Sequence, residues 1–215
     1  MADKTVGQAF PAPPDRININ EGVLAAGTHL FRLHRDCYRG NQFNDFAAGD
    51  ARFSPIRDRL SHQIIPTLYA AASSEIALCE VLFHDIDISQ KQIVFDQRKL
   101  LGLQHSDIVI THDLRIAQLD HASLIKMRVG KRLIHCDAAE YADTRLWAEH
   151  IHEQHPQIQG MSWPSRQYQG QASVLFADRI VADGVTLSKT SALIKDKKVI
   201  GRLLQLAARM DIVII

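Results

Sequence analysis

The sequence has little that would mark an export route, a metal site or a highly charged partner. Its three cysteines, Cys37, Cys79 and Cys136, are odd in number and widely spaced, with no Cys-x-x-Cys pair. That pattern speaks against a disulfide framework and a cysteine zinc site, and it fits reduced thiols. No uninterrupted apolar run reaches the roughly 18 residues of a membrane span, and the first ten residues lack the basic-then-apolar order of a signal peptide, so a cytoplasmic protein without membrane contact is expected. A formal net charge of +1 over 215 residues, with no basic stripe, gives no electrostatic case for direct nucleic-acid binding. The chain also lacks His-Glu-x-x-His, P-loop and Gly-x-Gly-x-x-Gly patterns, which removes support for metalloprotease, nucleoside-triphosphatase and dinucleotide-fold readings. His150, His152 and His155 form a dense tail, but His150 and His152 sit about 200° apart on a helix, whereas helical metal pairs use i,i+4 spacing. No metal is expected.

What is present reads as one soluble domain: 46% apolar and 23% charged residues are ordinary for a globular chain. Residues 1–22 carry Pro11, Pro13 and Pro14 with little apolar periodicity, so they are expected to form an extended arm that frays or drapes over a single domain at 23–215. Structure is expected to begin near Thr28, where the segment to His34 alternates as a strand with Leu30, Arg32 and His34 on one face. A polar loop rich in Asn, Asp and Gly follows over 35–49 and ends in Ala51-Arg52-Phe53-Ser54-Pro55. Further strands are expected over 91–96, 107–114, 159–163, 172–177 and near Val185. Helices are expected over 120–127, from Asp137 to before Pro156, and over 199–210. The second of these opens on a near capping box of Asp137 and Glu140 and buries a stripe of Ala138, Ala142, Leu146, Trp147 and Ile151. The apolar end Ile212–Ile215 needs burial in the sheet or in a partner interface.

The most informative stretch is 66–84. Thr67 to Ala71 follows a proline and reads as a buried strand, and Ser73 and Ser74 supply N-cap chemistry for a helix that starts at once. Glu80 is the only charged residue between Ile76 and Phe83. A carboxylate in an apolar stripe is protonated, paired or opened onto a cavity, because an isolated buried charge is very costly. From the helix alone, that reading and a surface glutamate with partly buried neighbours both stand. Arg32 is equally open between an edge-strand surface residue and a cleft residue gripping carboxylate or phosphate. Ser165, in Pro164-Ser165-Arg166, reads by itself as turn chemistry between two strands, and it is not a nucleophile elbow.

Taken in order, Phe31-Arg32, Ala51-Arg52-Phe53-Ser54, Leu68-Tyr69-Ala70 leading into Glu75-Ile-Ala-Leu-Cys-Glu80, and Trp163-Pro164-Ser165-Arg166 resemble the RES domain, over roughly 28–177. The family is named for an arginine, a glutamate and a serine, which here are Arg32, Glu80 and Ser165. The resemblance implies an α/β (α+β) fold similar to the ADP-ribosyltransferases, with a central mixed, split β-sheet flanked by helices. It also implies a bacterial toxin that destroys NAD+, neutralised by a helix-turn-helix (Xre-like) antitoxin and assembled as a homodimer. NAD+ is then substrate rather than cofactor, with water or phosphate as acceptor. The implied roles are Glu80 beside the ribosyl cation, Arg32 and Arg52 on the pyrophosphate, Tyr69 as a stacking face for nicotinamide, and Ser165 orienting ribose or the nicotinamide amide. ADP-ribosyl transfer to a protein is the alternative within this chemistry, and a non-catalytic interaction module is the alternative outside it. The family usually carries glycine directly before its second arginine, where this chain has Ala51, a less permissive backbone.

Overall fold

The computed structural model describes residues 9–84, 86 and 89–215. Its first half contains β1 (Asn20–Leu24), β2 (His29–Arg35), the short pair β3 (Ile56–Arg57) and β4 (Ile64–Ile65), β5 (Thr67–Ala71), α1 (Ser74–Leu82), β6 (Ile93–Phe95), β7 (Leu103–Ile110) and β8 (Leu114–Gln118). The second half contains α2 (His121–Lys126), α3 (Arg132–His135), α4 (Tyr141–Gln154), β9 (Gly160–Pro164), β10 (Gln171–Phe176), β11 (Val185–Ala192), α5 (Lys197–Arg209) and β12 (Ile212–Ile214).

Eight strands form one mixed sheet in the order β1-β8-β9-β10-β5-β2-β7-β11. Neighbours are antiparallel except β8 and β9, which run parallel. The sheet has a seam. Where β2 and β7 match over seven residue pairs, β2 and β5 are joined through one, Phe31 with Ala71.

Strand alternation decides what lies on each side of the seam. Phe31, Ala71, Tyr69 and Val174 share a face, because paired residues and residues two apart point the same way. On that face α2, α3 and α4 cover the β8-β9-β10 half through Trp147, Ile151, Met161 and Val174, while α1 and α5 cover the other half through Leu78, Leu203 and Leu33. The opposite face buries Leu30, Leu68, Ile108, Ile116 and Leu175. The two helical groups therefore flank the seam.

Several elements depart from the sequence expectation. Structure begins before Thr28: β1 pairs with β8 from Asn20 with Gln118 to Leu24 with Leu114. Its sequence, Asn-Glu-Gly-Val-Leu, carries almost no apolar alternation because it is an edge strand, and its pairing is made by main-chain groups. The chain before it drapes over α4, since Trp147 Nε1 donates to Pro11 O at 2.7 Å, Ile17 N donates to Gln154 Oε1 at 2.7 Å, and Ile17 is buried. The single strand expected over 107–114 is the end of β7, a turn and the start of β8. The expected capping box does not form, because the Glu140 carboxylate is taken by Arg132 and Asp137 makes no side-chain cap. In α4 the buried stripe is Thr144, Trp147, Ala148, Ile151 and His152, with Leu146 exposed. The C-terminal apolar run finds its place in the chain itself as β12, parallel to β6, with Ile212 buried.

Candidate active site

A cleft of about 310 Å3 opens at the seam and is lined, among others, by Phe31, Arg32, Arg52, Tyr69, Glu80 and Arg166. A larger groove of about 860 Å3 adjoins it and shares Leu33, Val81 and His84, but it contains none of Arg32, Arg52, Tyr69 or Glu80. The smaller cleft is the one lined by residues expected from sequence to form the site.

Glu80 is positioned by the junction of β5 and α1. Ser73 is extended, at φ −146° and ψ 161°, and its Oγ accepts from Ile76 N at 3.2 Å, which starts the helix after only two residues, Ala72 and Ser73, beyond the strand. Ile76, Ala77, Leu78 and Cys79 are buried against the sheet, so the next residue stands at the edge of the core. Burial pushes the Cys79 thiol up to about 12, with the carboxylates of Glu80 and Glu75 adding to the effect.

Ser165 meets Glu80 from the hairpin loop joining β9 and β10. The loop closes through Ser165 N donating to Gly170 O at 2.8 Å. Gly170 has φ +136°, and a Cβ there would lie 2.4 Å from Ile76 Cδ1, so glycine is what lets this loop lie against α1. Ser165 Oγ accepts from Gln167 N at 3.1 Å and Tyr168 N at 3.2 Å, and it donates to Glu80 Oε1 at 2.5 Å. With two N–H groups filling its lone pairs, the single hydroxyl proton is directed at the carboxylate.

Arg52 is held by a turn fixed to both neighbouring elements. Ala51 and Ser54 exchange main-chain hydrogen bonds, Phe53 is fully buried, Phe53 N donates to Tyr69 Oη at 2.6 Å, and Thr144 Oγ1 bonds Arg52 O. Ala51 is not among the residues with positive φ, so alanine meets no backbone strain where the family usually has glycine. The guanidinium bonds Cys136 O at 3.2 Å and Cys136 Sγ at 3.0 Å and lies 5.2 Å from the centre of the Tyr141 ring. Tyr69 stands edge-on to Trp163 with ring centres 5.8 Å apart, and burial raises its phenol well above its ordinary pKa. It is a neutral wall of the cleft.

Arg32 donates to Gly40 O at 3.2 Å and Gln42 O at 2.9 Å, while its buried Nε has no partner among the described residues. Burial pulls the guanidinium down to about 10, which leaves it charged at neutral pH. Of the acids that line the cleft, Asp50 pairs with Arg145 at 2.7 Å, Asp137 lies 3.5 Å from Arg166, and Glu80 accepts from the neutral Ser165 hydroxyl. Arg32 and Arg52 thus rest on main-chain carbonyls, which orient a guanidinium without neutralising it.

The structure brings together every site residue expected from sequence: Arg32, Arg52, Tyr69 and Glu80 line one cleft, and Ser165 reaches it through Glu80. Cys136, Tyr141 and Arg166, which also line it, were not singled out as site residues. For Arg166 a signal existed in its place beside Ser165; Cys136 caps α3 and Tyr141 opens α4 off the expected apolar stripe, so neither carries a sequence cue for the site. His150 and His152 face different partners, Arg59 and Asp178, and among the described residues no group of three or more His, Cys, Asp or Glu is arranged to hold a metal. Among the same residues no helix is long and apolar enough to cross a membrane.

Residues 29–194 match the RES domain, and the chain belongs to the RES domain family. Its fold is similar to that of a chain in the crystal structure of the M. tuberculosis MbcT–MbcA toxin–antitoxin complex, with a TM-score of 0.59 and 17% identity, covering 79% of this chain and 86% of that one. A search of curated proteins finds no match.

Proposed function

We propose that this protein is the toxin of a bacterial toxin–antitoxin pair and that its cleft binds NAD+ and breaks the nicotinamide–ribose bond. The observation that carries the reading is the Ser165–Glu80 hydrogen bond of 2.5 Å within a cleft where Arg32 and Arg52 are anchored on main-chain carbonyls. Family membership supports it, as does a fold shared with a chain of a toxin–antitoxin complex. The partner would be an Xre-like helix-turn-helix antitoxin.

In the reaction the bond between ribose C1 and the pyridinium nitrogen breaks with its electron pair leaving on nicotinamide, which departs neutral. Positive charge then develops on the sugar, as in glycoside cleavage. Glu80 is the fixed anion beside that charge, and Ser165 holds its carboxylate in one orientation. Arg32 and Arg52 draw in the anionic part of the substrate, and Tyr69 walls the nicotinamide end. Water or phosphate completes the reaction by adding oxygen to C1, giving ADP-ribose or its 1-phosphate.

Incubation of the purified protein with NAD+, followed by nicotinamide release and product analysis with and without phosphate, tests this. Glu80→Gln should abolish turnover while keeping the fold. Undiminished turnover by that variant would overturn the assignment, and a labelled protein product in place of free ADP-ribose would move the reading to protein ADP-ribosylation.

A further inference from the structure

We infer that Arg166 forms, together with Arg52, the diphosphate clamp of this cleft. The inference rests on the NAD+ reading and adds a residue and a division of labour to it. Arg52 comes from the turn before β3 and Arg166 from the β9–β10 hairpin, yet both anchor on the C-terminal end of α3 and its cap. Arg52 donates to Cys136 O at 3.2 Å, and Arg166 donates to His135 O at 3.2 Å. His135 registers both: its imidazole is held below its ordinary pKa by burial first, then by the charges of Arg52 and Arg166.

Two guanidinium groups converging in this way repel each other unless an anion lies between them. Among the described residues the acid that pairs with Arg166 is Asp137, whose Oδ1 lies 3.5 Å away and whose side chain is 86% exposed. A long, solvated pair of this kind neutralises little. The remaining N–H groups of two planar forks suit two linked phosphoryl groups, each of which presents several oxygens. The clamp also lies where a dinucleotide needs it, since Arg166 directly follows Ser165, which holds Glu80, and Arg52 directly precedes Phe53, which bonds the Tyr69 hydroxyl. Arg32 is anchored separately, on Gly40 and Gln42, so it adds its charge to the cleft from outside the pair that shares the end of α3.

The test uses the full chain, NAD+ turnover, and inhibition by ADP, adenosine and inorganic phosphate. Arg166→Ala should raise KM for NAD+ and the inhibition constant of ADP by about tenfold or more, with kcat within about threefold. Inhibition by adenosine and any dependence on inorganic phosphate should not change. Arg166→Gln keeps an N–H for the His135 carbonyl but no charge, so it must reproduce the loss with an unaltered melting temperature if charge is the cause. KM and ADP inhibition within twofold of wild type in a folded variant would overturn the clamp and leave the NAD+ reading intact. A changed phosphate dependence with unchanged ADP inhibition would also overturn it, assigning the pair to an attacking phosphate. Absence of nicotinamide release by the wild-type protein would remove the reading and the clamp with it.

Discussion

Replacing Ser165 with alanine removes one hydroxyl and three hydrogen bonds of two kinds. The main-chain N–H groups of Gln167 and Tyr168 lose an acceptor in a hairpin loop that water can reach, which costs about 1 kcal/mol of stability. The bond to Glu80 Oε1, at 2.5 Å, is made to a carboxylate acceptor and fixes the orientation of the group proposed to face the ribosyl cation. Hydrogen bonds to charged groups contribute about 1.5–3 kcal/mol, and at about 1.36 kcal/mol per decade of rate that corresponds to a fall in kcat/KM of about 10- to 150-fold. Nicotinamide release under steady-state conditions, paired with a thermal melt of the same preparation, separates the two effects. The expected result is a large loss of kcat with a melting temperature only a few degrees lower. Ser165→Thr, which keeps the hydroxyl, should recover part of the activity. Wild-type kcat/KM in Ser165→Ala, with stability alone reduced, would refute the reasoning and make Ser165 a loop-closing residue only.

Tyr69→Phe keeps the edge-on contact with Trp163 but removes the acceptor of Phe53 N, so it should cost about 1–2 kcal/mol and raise KM by loosening the Arg52 turn; unchanged melting and unchanged KM would contradict that. At Gly40 a Cβ would lie 2.4 Å from Ser106 Oγ and 2.6 Å from Leu187 Cδ1, so Gly40→Ala must shift the loop that supplies Arg32 with its acceptor; a loss of about 1–3 kcal/mol by urea unfolding is expected, with raised KM. His34 and His105 are both held below the ordinary histidine value of 6.5, chiefly by burial. Between their folded values and 6.5 the unfolded chain binds more protons, so stability is fully present above 6.5 and is lost as pH falls through that window. Urea midpoints should therefore drop from about pH 7.5 to about pH 5.5, and His105→Gln should flatten the slope; a midpoint that rises on acidification would exclude this linkage.

The stretch from Thr67 to Leu82 was legible because its signals are local: a buried strand, a serine cap and one carboxylate in an apolar run. Ser73 caps α1 and Glu80 stands at the edge of its buried face, as those signals imply. β1 was not legible, since Asn20–Leu24 is held by main-chain pairing and has no apolar alternation to detect. The boundary between β7 and β8 was lost because Ile108-Val109-Ile110 and Leu114 flank it with apolar residues and the intervening turn contains no glycine or proline. At α4 a local capping signal was outweighed by a tertiary partner, Arg132 on Glu140. The order of the site residues could be read along the chain. Their convergence could not, because it depends on a sheet order in which β5 lies between β10 and β2.

That sheet order explains why the site combines rigidity with openness. Glu80 and Ser165 are 85 residues apart in sequence, and Arg52 and Cys136 are 84 apart, so each contact exists only after strands from both halves of the chain have assembled. The proposed site residues stand on short, well-anchored segments: a capped helix, a turn bonded to β5 and α4, and a hairpin loop closed on itself. The cleft between them is open because β2 and β5 share a single residue pair, so the sheet parts where the helices on its covered face divide into two groups. A fully paired seam would bring the two halves together and fill the space in which Phe31 and Tyr69 now line the cleft. The fold gives up ladder hydrogen bonds at one place, and at that place it sets arginines on carbonyl acceptors around a single oriented carboxylate.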